Sequence, residues 1–292
     1  MQLFKGNSFS EVYQKSLSHL YNTPQYESKP RDMEVKENIQ VCLEINNPLS
    51  SMFDNDRRSS QYRYIAAELL WYFLGRDDVE FISKYASFWK EIQNEDGSVN
   101  SSYGNLLFTS KNRFGQSQYE WAYTTLAKDK DSRQAIMHFN LPKHQHSDNK
   151  DFVCTMYGIF HIRDNKLDFA IYMRSNDAIL GTPTDIAFFT VLQQQMLKHL
   201  QIIYPDITLG KYTHTMDSYH IYDRHYDLVK EMLESEFKSV EFPTLDKTLI
   251  LPTGAPTESL KLLESYHMED HVVSNDSIYK WIQNNMRNEV PA

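Results

Sequence analysis

The stretch "DFVCTMYGIFHIRDNKLDFAIYMRSNDAILGTPTDIAFF", residues 151–189, decides the fold. Its opening, "DFVCTMYGIFHI", is a β-rich run, "RDNK" supplies turn residues, and "LDFAIYM" alternates, with Leu167, Phe169, Ile171 and Met173 on one side. Together they predict a hairpin at the heart of a sheet. The period then changes. In "DIAFFTVLQQQMLKHLQII", 185–203, Phe189, Leu192, Met196, Leu200 and Ile203 recur at spacings of three and four, which predicts a long amphipathic helix across that sheet.

Working outward, "QYRYIAAELLWYFLG", 61–75, reads as a buried helix stopped by Gly75, and "DVEFISKYASFWKEI", 78–92, as a second helix. Another strand is expected at about 212–222, and a last helix in "SNDSIYKWIQNNMR", with Asp276 or Ser277 as its N-cap. The class is α+β, a central mixed sheet backed by helices. No Pro/Gly/Ser-rich linker divides the chain; the longest break is the polar run "KHQHSDNK", 143–150. We expect one domain over 1–292, with 241–292 an unassigned C-terminal extension.

With 292 residues, 41% of them hydrophobic, the chain can bury a large core. A net charge of −9 argues against a bulk attraction to nucleic acid. Two cysteines make no disulfide framework, the N-terminus lacks a basic start with an apolar run, and no stretch is apolar enough to span a membrane. These features predict a soluble, cytoplasmic protein.

Several polar residues stand where the core should be. Glu68 lies one turn from both Tyr64 and Tyr72, beside Leu69 and Trp71; desolvation there would raise its pKa toward the range useful for proton transfer, unless it snorkels or caps a buried arginine. At the end of the second hairpin strand come Arg174, Ser175, Asn176 and Asp177, before Gly181. A guanidinium fork beside a hydroxyl suits phosphate, although Arg174 could equally pair with Asp177 to hold a turn. Arg133 precedes an apolar strand, and His220 and Tyr222 share one face of theirs, fit to reach sugar hydroxyls or to satisfy each other. Cys154 is either a small hydrophobe or a nucleophile.

In order, "AAELLWYFLG", "FWKEI", "GSVNSSYGNLLF", "DSRQAIM", the 151–189 stretch and "DSYHIYDRH" resemble the thymidylate synthase superfamily over roughly residues 60–230. Within it the closer likeness is to the phage deoxycytidylate hydroxymethylases. Thr155 follows Cys154 where the synthases have His, and Asp185 stands four residues beyond Gly181 where they have Asn. Uracil offers an acceptor at O4 and a donor at N3, which an amide complements. Cytosine offers an amino donor and an N3 acceptor, which a carboxyl sharing one proton complements. Mispairing of a buried polar edge discriminates by roughly 10⁴ to 10⁵, so Asp185 alone could select cytosine.

The resemblance implies the synthase fold, with one sheet face forming a homodimer interface. It implies that the Cys154 thiolate adds to C6 of a pyrimidine nucleoside monophosphate and that C5 attacks the one-carbon unit of 5,10-methylenetetrahydrofolate. Water then completes a hydroxymethyl group, where a synthase would deliver hydride. It matches Glu68 to the glutamate that organises water about the base, and Tyr103, Trp89, Asp177 and Gly181 to positions near the base and the folate. Arg174, Ser175, Arg31 of "SKPRDMEV" and, from the neighbouring subunit, Arg133 match phosphate binders, with Arg174 also lowering the Cys154 pKa. His220 and Tyr222 match residues that hold the sugar. No metal is implied. The chain departs from the pattern at Gln134, where many relatives have a second arginine, at Ile92, where they have a Trp, and in "NNMRNEVPA", which has no apolar closing tail. The resulting expectation is conversion of dCMP to 5-hydroxymethyl-dCMP. The alternatives are a C5-methylating or hydroxymethylating relative acting on dUMP or CMP, and an inactive relative that binds nucleotide or RNA.

Overall fold

The structure is a computed structural model and describes residues 1–266, 274 and 276–287. Its strands are β1 (Gln2–Gly6), β2 (Tyr26–Ser28), β3 (Val35–Ile45), β4 (Met52–Asp54), β5 (Ile136–His138), β6 (Thr155–Arg163), β7 (Lys166–Asp177), β8 (Thr208–Tyr222) and β9 (Lys238–Val240). The helices are α1 (Phe9–Asn22), α2 (Tyr62–Phe73), α3 (Val79–Ile82), α4 (Trp89–Ile92), α5 (Gln118–Lys128), α6 (Thr182–Leu200), α7 (Tyr226–Leu233), α8 (Glu258–Tyr266) and α9 (Ser277–Arg287). One mixed sheet runs β1-β3-β8-β7-β6-β5, with β2 on β3 and a separate β4-β9 pair.

The hairpin is β6 and β7. Asp164 and Asn165, at φ 48° and 55°, take the left-handed pair of positions that a two-residue turn between twisted strands requires. Leu167, Phe169, Ile171 and Met173 are all buried on the core face. β7 then crosses through α6 to the parallel strand β8, with Pro183 in the first turn of the helix, where its missing N–H costs nothing. α9 starts at Ser277, directly after Asp276.

Two elements differ from the sequence reading. The helix expected over 78–92 is two short helices, α3 and α4, with Phe88 56% exposed between them. The break lets Trp89 reach α2, where its indole packs 5.3 Å from the Trp71 ring and donates to the Tyr64 hydroxyl at 3.0 Å. α6 is buried on nearly every side rather than amphipathic. Its glutamines bond inward: Gln193 donates to the Leu167 and Lys211 carbonyls, Gln194 accepts from the Leu245 N–H, and Gln195 accepts from Leu249 N–H. The chain after residue 240 is thereby drawn over the central helix, and α9 packs along α2. Residues 288–292 of the C-terminal tail lie outside the described residues. No helix among the described residues is long and apolar enough to cross a membrane.

Candidate active site

Cys154 sits on the bend that leads into β6. Immediately after it the β6–β7 register slips between Thr155 and Tyr157, a bulge of the kind that re-aims a side chain next to a site. The backbone N–H of Arg174 on β7 donates to the Cys154 carbonyl at 2.9 Å. Its guanidinium folds back over the same loop: Nη2 lies 3.4 Å from Cys154 Sγ, Nε donates to the Val153 carbonyl at 3.2 Å, and a further bond goes to the Phe152 carbonyl. Arg174 therefore holds the thiol rather than pairing with Asp177. Burial pushes the Cys154 pKa up, and Arg174 acts to lower it, the direction the resemblance implied, without offsetting burial in full.

The other side of the site comes from α2. Glu68 is buried and bonded to phenols, not to an arginine: Tyr64 donates to its Oε1 at 2.6 Å and Tyr72 at 3.4 Å. Both protons go to one oxygen, which leaves Oε2 to carry a proton of its own. Burial raises the Glu68 pKa to about 8, the Tyr64 bond pulls it down, and the charge of Asp185 pushes it up again.

Between these walls lies Asp185 on the first turn of α6. Its carboxyl is pushed up to about 7 by burial, against hydrogen bonds from Asn176 and Tyr103. The Asn176 amide donates to Oδ2 at 2.7 Å, and the Tyr103 hydroxyl lies 3.4 Å from Oδ1. Tyr103 in turn accepts from the Thr155 hydroxyl at 2.8 Å, so the residue after Cys154 is bonded into the same cluster. Tyr103 owes its position to Gly104: a Cβ there would come 1.8 Å from the Tyr72 carbonyl oxygen, so only glycine lets this segment lie against α2, with the Tyr72 and Tyr103 rings stacked at 5.2 Å.

At the rim, Asp177 pairs in register with His220 of β8 and accepts from the Ile179 and Leu180 N–H groups at 2.7 and 3.1 Å. The His220 and Tyr222 rings meet edge to face at 5.0 Å. Burial lowers the His220 pKa, opposed by Asp177 and Glu37. Ser175 lies opposite Ser218. Arg31 and Asp32 both adopt left-handed backbone, at φ 53° and 61°, and the Arg31 charge reaches both Cys154 and His220. Arg133 is exposed ahead of the edge strand β5 and engages none of these residues. Trp89 serves the site through its bond to Tyr64. Among the described residues no cluster of three or more His, Cys, Asp and Glu side chains is placed to hold a metal.

The structure thus gathers Cys154, Arg174, Glu68, Tyr103, Asp185, Asp177, His220, Tyr222 and Arg31, and leaves Arg133 apart. Sequence reasoning left Asn176 among a polar set without a role, and gave no place to His214 or Thr182. A thymidylate synthase family model matches residues 12–287. The chain belongs to the thymidylate synthase family. That match reaches through most of the segment after residue 240. Family members similar to this chain include the deoxycytidylate 5-hydroxymethyltransferases of Enterobacteria phage T6, 31% identical over 173 residues, and of phage T4, 31% identical over 175 residues; each alignment spans 57% of this chain and 69% of the relative. A deoxyuridylate hydroxymethyltransferase of Bacillus phage SP01 is 28% identical over 232 residues, 76% of this chain and 59% of that relative. The thermostable thymidylate synthase A from Bacillus subtilis shares the fold, with a TM-score of 0.65 over 84% of this chain and 89% of that one, at 21% identity.

Proposed function

We propose that the protein is a hydroxymethyltransferase that converts dCMP to 5-hydroxymethyl-dCMP. The observation that carries this reading is a buried carboxyl at Asp185, held by Asn176 and Tyr103 and near enough to Cys154 for its charge to act on the thiol, with its pKa raised to about 7. A carboxyl that keeps or shares one proton at neutral pH complements the amino and N3 edge of cytosine, which an amide does not. A second reading, hydroxymethylation of dUMP, is favoured by the Bacillus phage relative, which aligns with more of this chain than the deoxycytidylate enzymes do.

In the proposed reaction the Cys154 sulfur bonds to C6 of the base, and anionic substrate brought against Arg174 keeps that guanidinium beside the sulfur, where it favours the thiolate. Arg174, Ser175 and Arg31 receive the phosphate, and His220 with Tyr222 receives the sugar. Tyr103, bonded between Thr155 and Asp185, holds a proton at the face of the base. Glu68, protonated below about pH 8, positions the water that supplies the hydroxyl.

The one-carbon donor is proposed to be 5,10-methylenetetrahydrofolate, which supplies carbon at the oxidation level of formaldehyde. The residues present fit it. The Asp177 carboxylate can accept from ring N–H groups, and Leu180, 46% exposed beside it, offers an apolar surface for a ring. Trp89 backs the wall through Tyr64. We propose further that two copies associate through the outer sheet face, where Met156 is 37% exposed and the Tyr157 and Tyr172 rings stack at 4.5 Å, and that Arg133 completes the phosphate site of the partner.

The test is incubation with methylenetetrahydrofolate and each of dCMP, dUMP and CMP, with product masses measured. A product heavier by one hydroxymethylene from dCMP, without dihydrofolate, supports the reading. A methyl product with stoichiometric dihydrofolate refutes it, and turnover confined to dUMP replaces it with the second reading. In that last case Asp185→Asn would leave the preference unchanged, whereas under the first it moves preference from dCMP toward dUMP.

A further inference from the structure

Asn176 is buried, belongs to no part of the roles argued so far, and stands behind the residue that would read the base. Its Oδ1 receives two donors: the Thr182 hydroxyl at 2.6 Å and His214 Nε2 at 3.2 Å. His214 is fixed in turn by the Tyr212 hydroxyl, 2.8 Å from its Nδ1. Burial pushes the His214 pKa down to about 3, so the ring is neutral at working pH and carries one proton. The tautomer that carries this proton on Nε2 matches the Asn176 Oδ1 facing it and lets Tyr212 donate to Nδ1. Two donors converging on Oδ1 leave the Asn176 amide one orientation, with Nδ2 aimed at Asp185 Oδ2, 2.7 Å away.

Space enforces the same geometry. A Cβ at Gly181 would lie 2.8 Å from Asn176 Nδ2 and 3.4 Å from Asp185 Oδ2, directly over the bond between them. Glycine there gives the Asn176–Asp185 pair its room. Oδ2 takes the short bond from the Asn176 N–H, whereas Oδ1 has only the 3.4 Å bond from the Tyr103 hydroxyl, so Oδ1 is the oxygen better able to take the proton that Asp185 keeps or shares.

We infer that Asn176 is a specificity-determining positioning residue: it locks the Asp185 carboxyl in one rotamer and one protonation pattern, so that Oδ2 serves as the acceptor and Oδ1 as the proton-bearing edge presented to the base. This rests on the proposed reading of Asp185 as the residue that recognises cytosine. The groups facing Asp185 are Asn176 on β7, Glu68, Tyr64 and Tyr72 from α2, Tyr103 from the segment after α4, Tyr212 from β8, and Cys154 ahead of β6. Of these only Tyr103 and Asn176 bond to it directly, and Asn176 at the shorter distance.

The test uses the full-length enzyme with Asn176→Leu, which removes the donor at similar volume, and Asn176→Asp, which keeps the acceptor that Thr182 and His214 need and so preserves the fold should leucine disrupt it. Thermal melts establish folding of each. For Asn176→Leu, kcat/KM on dCMP should fall about 10- to 100-fold, the worth of one bond to a charged group, and the dCMP over dUMP preference should fall about tenfold or more. The alkaline limb of the pH profile should move to higher pH in both variants, because Asn176 now holds the Asp185 pKa down, and furthest in Asn176→Asp, where a second carboxylate faces it. A folded variant with an unmoved limb and an unchanged preference overturns the inference, as does a loss of rate that is equal on both bases. Should the wild-type enzyme instead prefer dUMP, the reading of Asp185 fails, while the shift of the limb, measured on dUMP, still decides whether Asn176 governs Asp185.

Discussion

Replacing Glu68 by glutamine separates the two consequences of burying that carboxyl. In the folded protein its pKa is raised to about 8, against an ordinary value of 4.5 in the unfolded chain. A raised carboxyl pKa contributes stability that is complete below the unfolded value and is lost as pH climbs toward the folded one, since only the unfolded chain then gives up its proton. At 1.36 kcal/mol per pH unit, the loss at pH 7 is about 3 kcal/mol, from the 2.5 units between 4.5 and 7. Glutamine keeps the acceptor for Tyr64 and never ionises. Glu68→Gln should therefore gain on wild type as pH rises, with the difference widening by about 2–3 kcal/mol between pH 5.5 and 7.5. Urea unfolding of both proteins across that range measures it. Turnover on dCMP should meanwhile fall by about 10²-fold or more for loss of a proton-transfer group. A stability difference that stays flat with pH would mean that Glu68 is ionised with an ordinary pKa, and would refute its assignment as the protonated group that positions water.

Cys154→Ser should abolish exchange of the C5 hydrogen of dCMP as well as product formation, because both wait on addition at C6; retention of isotope exchange would exclude the thiol as nucleophile. Mixing inactive Cys154→Ser with inactive Arg133→Ala should restore part of the activity through hybrid dimers, and a mixture as inactive as its parents would remove Arg133 from the site. Gly104→Ala should destabilise by more than about 3 kcal/mol or prevent folding, as its Cβ would force the Tyr72 carbonyl away and open α2; an unchanged melting temperature would refute the close approach. Gln195→Leu should cost about 1–3 kcal/mol in chemical unfolding, from the orphaned Leu249 N–H, while the Ile250 carbonyl keeps its bond with His199; a cost well under about 1 kcal/mol would mean that water replaces the glutamine.

The hairpin was legible because period-two alternation and a two-residue turn are local signals that the tertiary structure reinforces. The break between α3 and α4 was not, because the spacing of Ile82, Tyr85 and Trp89 suits a continuous helix; what overrides it is the pull of Trp89 toward Tyr64 and Trp71, partners far away in the chain. Gln193, Gln194 and Gln195 fall outside the apolar stripe of the expected amphipathic helix, and they are buried because backbone groups of Leu167 and Lys211, and of 245–250, arrive to bond with them. In the site, Cys154, Glu68 and Asp185 stood out as chemistry-bearing types in apolar surroundings. Asn176 did not, since its meaning depends on His214 and Thr182, which only the parallel pairing of β7 with β8 and the turn into α6 bring to it.

The strand order has a consequence for synthesis. β3 and β7 are not neighbours; β8 lies between them, pairing antiparallel with the first and parallel with the second. On the ribosome, β1, β2 and β3 are finished by Ile45, yet the strand that joins them to the hairpin does not begin until Thr208. Through that interval the hairpin offers an open edge at β7 and the N-terminal strands another at β3, each a template for pairing with a second nascent chain. Closure by β8 ends this exposure and in the same step delivers His214 to Asn176 and His220 to Asp177, so a chain interrupted before Tyr222 is both aggregation-prone and without a finished site.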